Sequence, residues 1–380
     1  MPKPDVGVRV AGFVYRLLQI DAEWTAPRDR GFAWWPGTFA QSVWAEPPYE
    51  DGDVTLSRVH VQTDLLRGMP DAGVPALAPY MRAAALSGFV RDAADPGVLR
   101  LATCFSVHEQ VEETLGRLIG LAAALQAATA YRLAADLARA TGGEPAVSGP
   151  PGRVPRTRPD DMVRVIENQI APAGAGPSAF AGPEFGQAAD WLERQGFVTN
   201  ADETGLTSEL PFGGMTSLLT LRADDPHPEL GSGLTGRLVL PVLPGEAASA
   251  RAVEAALNLN SDEVASHTDV QFAGSWCPAE RGLAFHLFVP NLVSGPGWVT
   301  NLAFALARRA MWAAGVFDQP FEPEGQSARD RVAEQMAGLD DEAFQAVLDS
   351  IPPGGGRENT IRALTAVRAA TRSRPDAVGE

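Results

Sequence analysis

The chain has 380 residues, about the length of two domains, because single cores stop growing at roughly 250–300 residues. With 45% hydrophobic and 21% charged residues it has the composition of a globular protein, which excludes a wholly disordered chain. Its net charge of −16 argues against nucleic acid as the main partner, and no run of about 18 apolar residues announces a membrane span.

Met1-Pro2-Lys3-Pro4-Asp5 lacks the basic and apolar regions of a secretory signal, so a cytoplasmic location is expected. The first strand expected is Thr38–Glu46, opened by the aromatic cluster Phe32, Trp34, Trp35 and Phe39. Leu99, Leu101, Thr103 and Phe105 alternate with the period of a half-buried strand. Ser106-Val107-His108-Glu109 then reads as a capping box, in which hydroxyl and carboxylate satisfy unpaired N–H groups reciprocally. It is expected to open a helix from Val107 to about Arg139, with Val111, Leu115, Leu118, Ala122 and Leu125 on its apolar face. Residues 141–159 are rich in Gly and Pro and read as a linker, followed by a short amphipathic segment at 160–170 and more breakers at 171–177.

A second series of elements follows. A helix is expected at Gln187–Gln195, strands at Thr216–Arg222 and Leu234–Leu243, and a helix at Ala247–Leu257. Strands near Val270–Trp276 and Leu283–Val289 come next, then a long helix with Pro296 in its first turn and Gly315 at its end. Beyond Pro320–Gly325, helices are expected at Ala328–Gly338, Asp340–Ile351 and Glu358–Thr371; Phe344, Val347, Leu348 and Ile351 form the stripe of the middle one.

Each half therefore reads as a helix, two or three strands, a helix, a strand or hairpin, and a long helix. One offset lays Thr38 on Thr216, Leu56 on Leu234 and Val61 on Val239. A slightly larger one lays Leu99, Leu101, Thr103 and Phe105 on Leu283, Phe285, Leu287 and Val289. The expected fold is α+β: two tandem modules, each an antiparallel sheet backed by helices, plus a helical C-terminal tail. The expected boundaries are 1–140, a linker with a short helix at 141–177, 178–320, and a tail at 321–380.

Several local patterns suggest chemistry and lose it in context. Gly231-Ser232-Gly233-Leu234-Thr235-Gly236 fits GxGxxG, but a strand follows where a dinucleotide site needs a helix, so a turn is expected. His108-Glu109 is followed by Glu112 where a zinc helix needs a second histidine. Cys104 and Cys277 are too few for a disulfide framework or a four-cysteine zinc site, and neither has a convincing base beside it, although His267 and His286 lie near Cys277 in sequence. Asp202-Glu203 and Asp224-Asp225 lack calcium-loop spacing and read as solvated turns.

Phe272-Ala273-Gly274-Ser275-Trp276-Cys277-Pro278, then Leu283–Asn291, then the helix Asn301–Trp312 give the second half a resemblance to the Tir-chaperone/YbjN-like family, the type III secretion chaperone-like fold. The resemblance covers roughly residues 180–317, and the first half joins it only through its likeness to the second. It implies a non-catalytic binding module that presents sheet and helix surfaces to extended or partly folded protein segments, with no cofactor and no metal. This chain departs from secretion chaperones in its length and in holding two copies. The expected function is a cytosolic, chaperone-like protein that holds a partner polypeptide, as a homodimer or an internal pseudo-dimer, without nucleic acid or membrane. Candidate contact residues are Trp34, Trp35, Phe39, Trp276, Trp298 and Trp312, although for the cluster at 32–39 core packing is the stronger reading and a partner groove the alternative. The alternatives are an enzyme with an unrecognised site between the modules, or a structural subunit of a larger assembly.

Overall fold

A computed structural model describes residues 5–51, 54–92, 94–212, 214–242, 249–266 and 271–317, with Asp341, Phe344 and Gln345. The expected tail helices otherwise lie outside the described residues. The chain divides into two compact units, and the larger, Met1–Tyr49 with Thr55–Ala314, holds the second sheet and all of the first except Glu50, Asp51 and Val54.

The first half opens with helix α1 (Val6–Leu17), whose N-terminus is capped by the Asp5 carboxylate accepting from the Val8 N–H. Strands β1 (Thr25–Arg28), β2 (Gly31–Trp34), β3 (Gln41–Ala45), β4 (Tyr49–Asp51) and β5 (Val54–Arg67) follow. A 3₁₀ segment at Asp71–Leu77 leads to β6 (Gly88–Arg91), β7 (Leu99–Val107) and the long helix α2 (Glu112–Thr141). The connection carries β8 (Glu144–Pro145), α3 (Asp161–Val165) and α4 (Ala171–Ala173). The second half runs α5 (Glu184–Arg194), β9 (Val198–Asp202), β10 (Gly205–Phe212), β11 (Met215–Arg222), β12 (Gly233–Leu240), α6 (Ala250–Ala265), β13 (Ser275–Ala279), β14 (Gly282–Pro290) and α7 (Trp298–Phe317).

The two sheets repeat one strand order. The first has the order β1-β2-β3-β5-β7-β6, with β4 and β8 off this path, and the second β9-β10-β11-β12-β14-β13. Matched in chain order, the two are the same antiparallel arrangement. The ladders also correct two of the sequence pairings. Val43 faces Val61 and Val61 faces Thr103, while Leu221 faces Gly236 and Gly236 faces Leu287. Thr38/Thr216 and Thr103/Leu287 thus keep their offsets, but Val61 corresponds to Gly236 rather than Val239, and Leu234 to Val59 rather than Leu56. A displacement of three residues turns a strand's side chains to the wrong face. Gly31 and Gly205 occupy one equivalent position: a Cβ on Gly31 would strike the Val43 carbonyl and one on Gly205 the Leu221 carbonyl.

Two local expectations change. Ser106 and Val107 are still strand, and a 3₁₀ turn at Glu109–Val111 precedes α2, so the capping box does not form. The Ser106 backbone is held from the second half, where the Gln271 carboxamide accepts its N–H at 2.7 Å and donates to its carbonyl at 3.2 Å. Residues 141–159 also do more than span. Their β8 adds to β5, and the Ser148 N–H donates to Thr38 O. Gly231 does sit in a turn (φ +71°), with β12 following.

Helix α2 is the spine of the first half. The segment Glu109–Thr141 is long and apolar enough to cross a membrane, yet most of it is buried inside the fold. Gly116 and Gly120 bring it against Phe13 and Leu17 of α1. Beneath it runs a buried polar chain. Trp34 Nε1 donates to Gln41, Gln41 Nε2 donates to Thr63 and to Ala123 O, and Gln126 accepts from Thr63 and donates to Thr103. In the second half the positions of Gln41, Thr63 and Thr103 carry Leu219, Leu238 and Leu287, so the same layer is apolar.

The halves are joined by backbone and buried side chains. Cys104 and Phe272 exchange both N–H···O bonds, at 3.0 and 2.8 Å. Asn260 of α6 donates to Phe89 O, and Arg58 donates to Val264 O at 2.7 Å.

Candidate binding site

The first turns of α2 and α7 border a cavity of about 310 Å³ that is floored by strand β14. Its large apolar walls are Leu115 and Leu118 from α2, Phe285 and Leu287 from β14, and Trp298 and Leu302 from α7. Leu115, Trp298 and Leu302 are only half-buried, so apolar surface faces the opening. The cavity draws on both modules, through Phe105 and α2 from one and β14 and α7 from the other.

The entry of α7 is set by α5. The Glu184 carboxylate accepts from the Gly297 and Val299 N–H groups, at 2.9 and 3.3 Å, and so supplies both a cap and a charge favoured by the helix dipole. Arg309, further along α7, closes the base of the cavity. Its guanidinium lies 3.8 Å from the centroid of the Phe285 ring, bonds Glu263 of α6 at 2.6 Å and donates to Gln271 O at 2.7 Å. The second Glu263 oxygen accepts from Trp276 Nε1 at 2.8 Å. This ion pair is fully enclosed, so its charges neutralise one another rather than face a ligand.

The six aromatic candidates fall in different places. Trp298 lines the cavity, and Trp312 is half-buried farther along α7. Trp34 and Trp276 are completely buried with their indole N–H groups bonded to Gln41 and Glu263. Trp35 is buried with its N–H on Ser148, and Phe39 is buried and bridges to Val147. These four are core residues and offer no surface to a partner. Leu115 and Leu118 belong to the cavity although their sequence signal was only the apolar stripe of a helix. That stripe meets α7 across the fold, and no local spacing encodes the meeting.

The residues considered for catalysis behave otherwise. Cys104 does have a base near it: His60 Nε2 is 3.7 Å from its Sγ. That same nitrogen is 2.7 Å from Glu46, so the carboxylate does not orient the imidazole from its far side as a nucleophile triad requires. Burial pushes the Cys104 thiol up to about 12 and the Cys277 thiol to about 11, and both stay protonated at neutral pH. His286 lies two ladder positions from Cys277's partner Ala284 and, held down by burial and by Arg237, is neutral. His267 is outside the described residues. The Asp224 carboxylate is occupied by Arg222, whose hydrogen bond lowers its pKa. Asp202 is lowered chiefly by bonds from Thr204, with Arg222 adding to the effect. Among the described residues no group of three His, Cys, Asp or Glu is placed to hold a metal ion.

Comparison of the chain with protein-family models, with curated proteins and with solved structures finds no match.

Proposed function

We propose that this chain is a non-catalytic binding protein that holds an apolar stretch of a partner polypeptide in the cavity between α2 and α7. The observation that carries this reading is the half-buried apolar surface of Leu115, Trp298 and Leu302 around an opening of about 310 Å³. Recognition by groove packing needs no titratable constellation. It needs apolar walls and a few polar groups at the rim, here Thr114 and Asn301. The expected chaperone-like role follows the same logic, and the paired sheets and long terminal helices of both halves are in keeping with it.

The test is selection of random displayed peptides on the full-length protein. Enriched peptides carry one or two large apolar residues, and they lose binding to Leu302→Trp, which fills the cavity. They keep binding to Tyr131→Ala, which alters an exposed position on α2. A selection without enrichment, or peptides that bind Leu302→Trp as well as the parent protein, rejects the reading.

A further inference from the structure

A second concavity, of about 390 Å³, lies where the β13–β14 turn approaches strands β11 and β12. It is lined by Leu218, Val239, Glu280 and three arginines, Arg82, Arg237 and Arg281. Arg82 comes from the first module and is anchored by donating to Pro278 O at 3.2 Å. Arg237 projects from β12 beside the buried Leu238, and its Nε is buried without a hydrogen-bond partner. Among the described residues no ion pair engages any of the three, although Glu280 lines the same hollow.

Most of the other described arginines hold a carboxylate, Arg9, Arg30, Arg58, Arg100, Arg222 and Arg309 among them, and acids outnumber bases by 47 to 31. Three unpaired guanidinium groups around one hollow repel one another, and leaving Arg237 half-buried and unpaired costs stability. Arg237 feels this as a lowered pKa, from burial first and from Arg82 next.

We propose that the Arg82–Arg237–Arg281 hollow binds a phosphate group, free or carried on a small organic molecule. A guanidinium fork matches phosphate oxygens bidentately, and three cations suit a dianion better than a single carboxylate. Because Arg82 and Arg237 belong to different modules, an occupied site also ties the two halves together. The proposal is independent of the apolar cavity.

Thermal unfolding of the full-length protein tests it, with chloride replaced by inorganic phosphate at fixed pH and ionic strength. The expected result is a saturable rise in Tm of about 2 °C. The rise is lost in Arg237→Gln and in Arg281→Gln, whose exposed side chain the fold does not need, and kept in the surface control Arg139→Gln. Phenyl phosphate giving a larger rise than inorganic phosphate assigns the site to an organic phosphomonoester; an equal rise assigns it to the phosphate group alone. No rise, an equal rise in the two hollow variants, or a larger rise with succinate overturns the proposal.

Discussion

Glu263 is a fully buried carboxylate that accepts from Trp276 and pairs with Arg309. Converting it to Gln leaves a guanidinium buried without its counter-charge. Glu263→Gln is expected to cost about 3–5 kcal/mol in urea unfolding, whereas the double change Glu263→Leu/Arg309→Met recovers a large part of the loss. His286 contributes a pH dependence of defined sign. Burial and the neighbouring Arg237 and Arg82 bring its pKa from 6.5 to about 3, so the folded state excludes a proton that the unfolded state binds. Its stabilisation is present above pH 6.5 and is lost as pH falls towards 3, with His227 adding in the same direction. Between pH 6.5 and about 4.5, His286→Gln should lose about 2 kcal/mol less stability than the parent, measured by chemical denaturation at each pH. Equal slopes would show that another group titrates there.

Among the elements, those with strong periodicity were legible. The alternation of Leu99 to Phe105 and of Leu283 to Val289 marked β7 and β14, and both are central partners in their sheets. The β9–β10 hairpin gave no such signal: Val198–Asp202 is almost entirely exposed, and β10 alternates Leu206 and Leu210 with Thr, Ser, Glu and Pro. The start of α2 misled because Ser and Glu at capping-box spacing also fit the end of a strand, and the deciding bond comes from Gln271, far away in sequence. A discriminating pair of variants follows. Since Ser106 contributes its backbone and not its hydroxyl, Ser106→Ala should change stability by less than about 0.5 kcal/mol. Gln271→Ala removes two bonds and should cost about 1–3 kcal/mol. A reversed order in thermal or urea unfolding would restore the cap. The binding site was legible only in part. Trp298 was singled out as an aromatic, whereas the meeting of α2 with α7 and of Arg82 with Arg237 depends on long-range packing that no window of sequence contains.

For the whole molecule, the repeated strand order and the equivalent glycines Gly31 and Gly205 make two modules, but the bonds between them make one folding unit. Cys104 and Phe89 bond the other half through backbone atoms and Arg58 through its guanidinium, and Asn260 is wholly buried where the halves meet. The full chain should therefore melt in a single transition. Residues 5–173 and 178–317 made separately should bind hydrophobic dye, and mixing them should remove the dye signal and restore the melt. Two separately stable, dye-silent halves would mean that the contact is incidental.

The polar chain under α2 also bears on the cavity. Much of that helix is alanine, as in Ala122-Ala123-Ala124 and Ala127-Ala128, and small side chains present nearly the same profile whichever way a helix is turned. Along that stretch shape alone sets the rotation weakly, and the setting comes from Gly116 and Gly120 against Phe13 and Leu17 and from the bonds beneath the helix. Gln126, pinned between Thr63 and Thr103, and the Ala123 carbonyl, held by Gln41, act as a key in a slot that admits one rotational setting. That setting aims Leu115 and Leu118 at the cavity two to three turns away. The rotational setting of a first-module helix therefore bears on a pocket whose floor belongs to the second, and Gln126→Leu keeps the core apolar while removing the side-chain bonds that help to pin that setting.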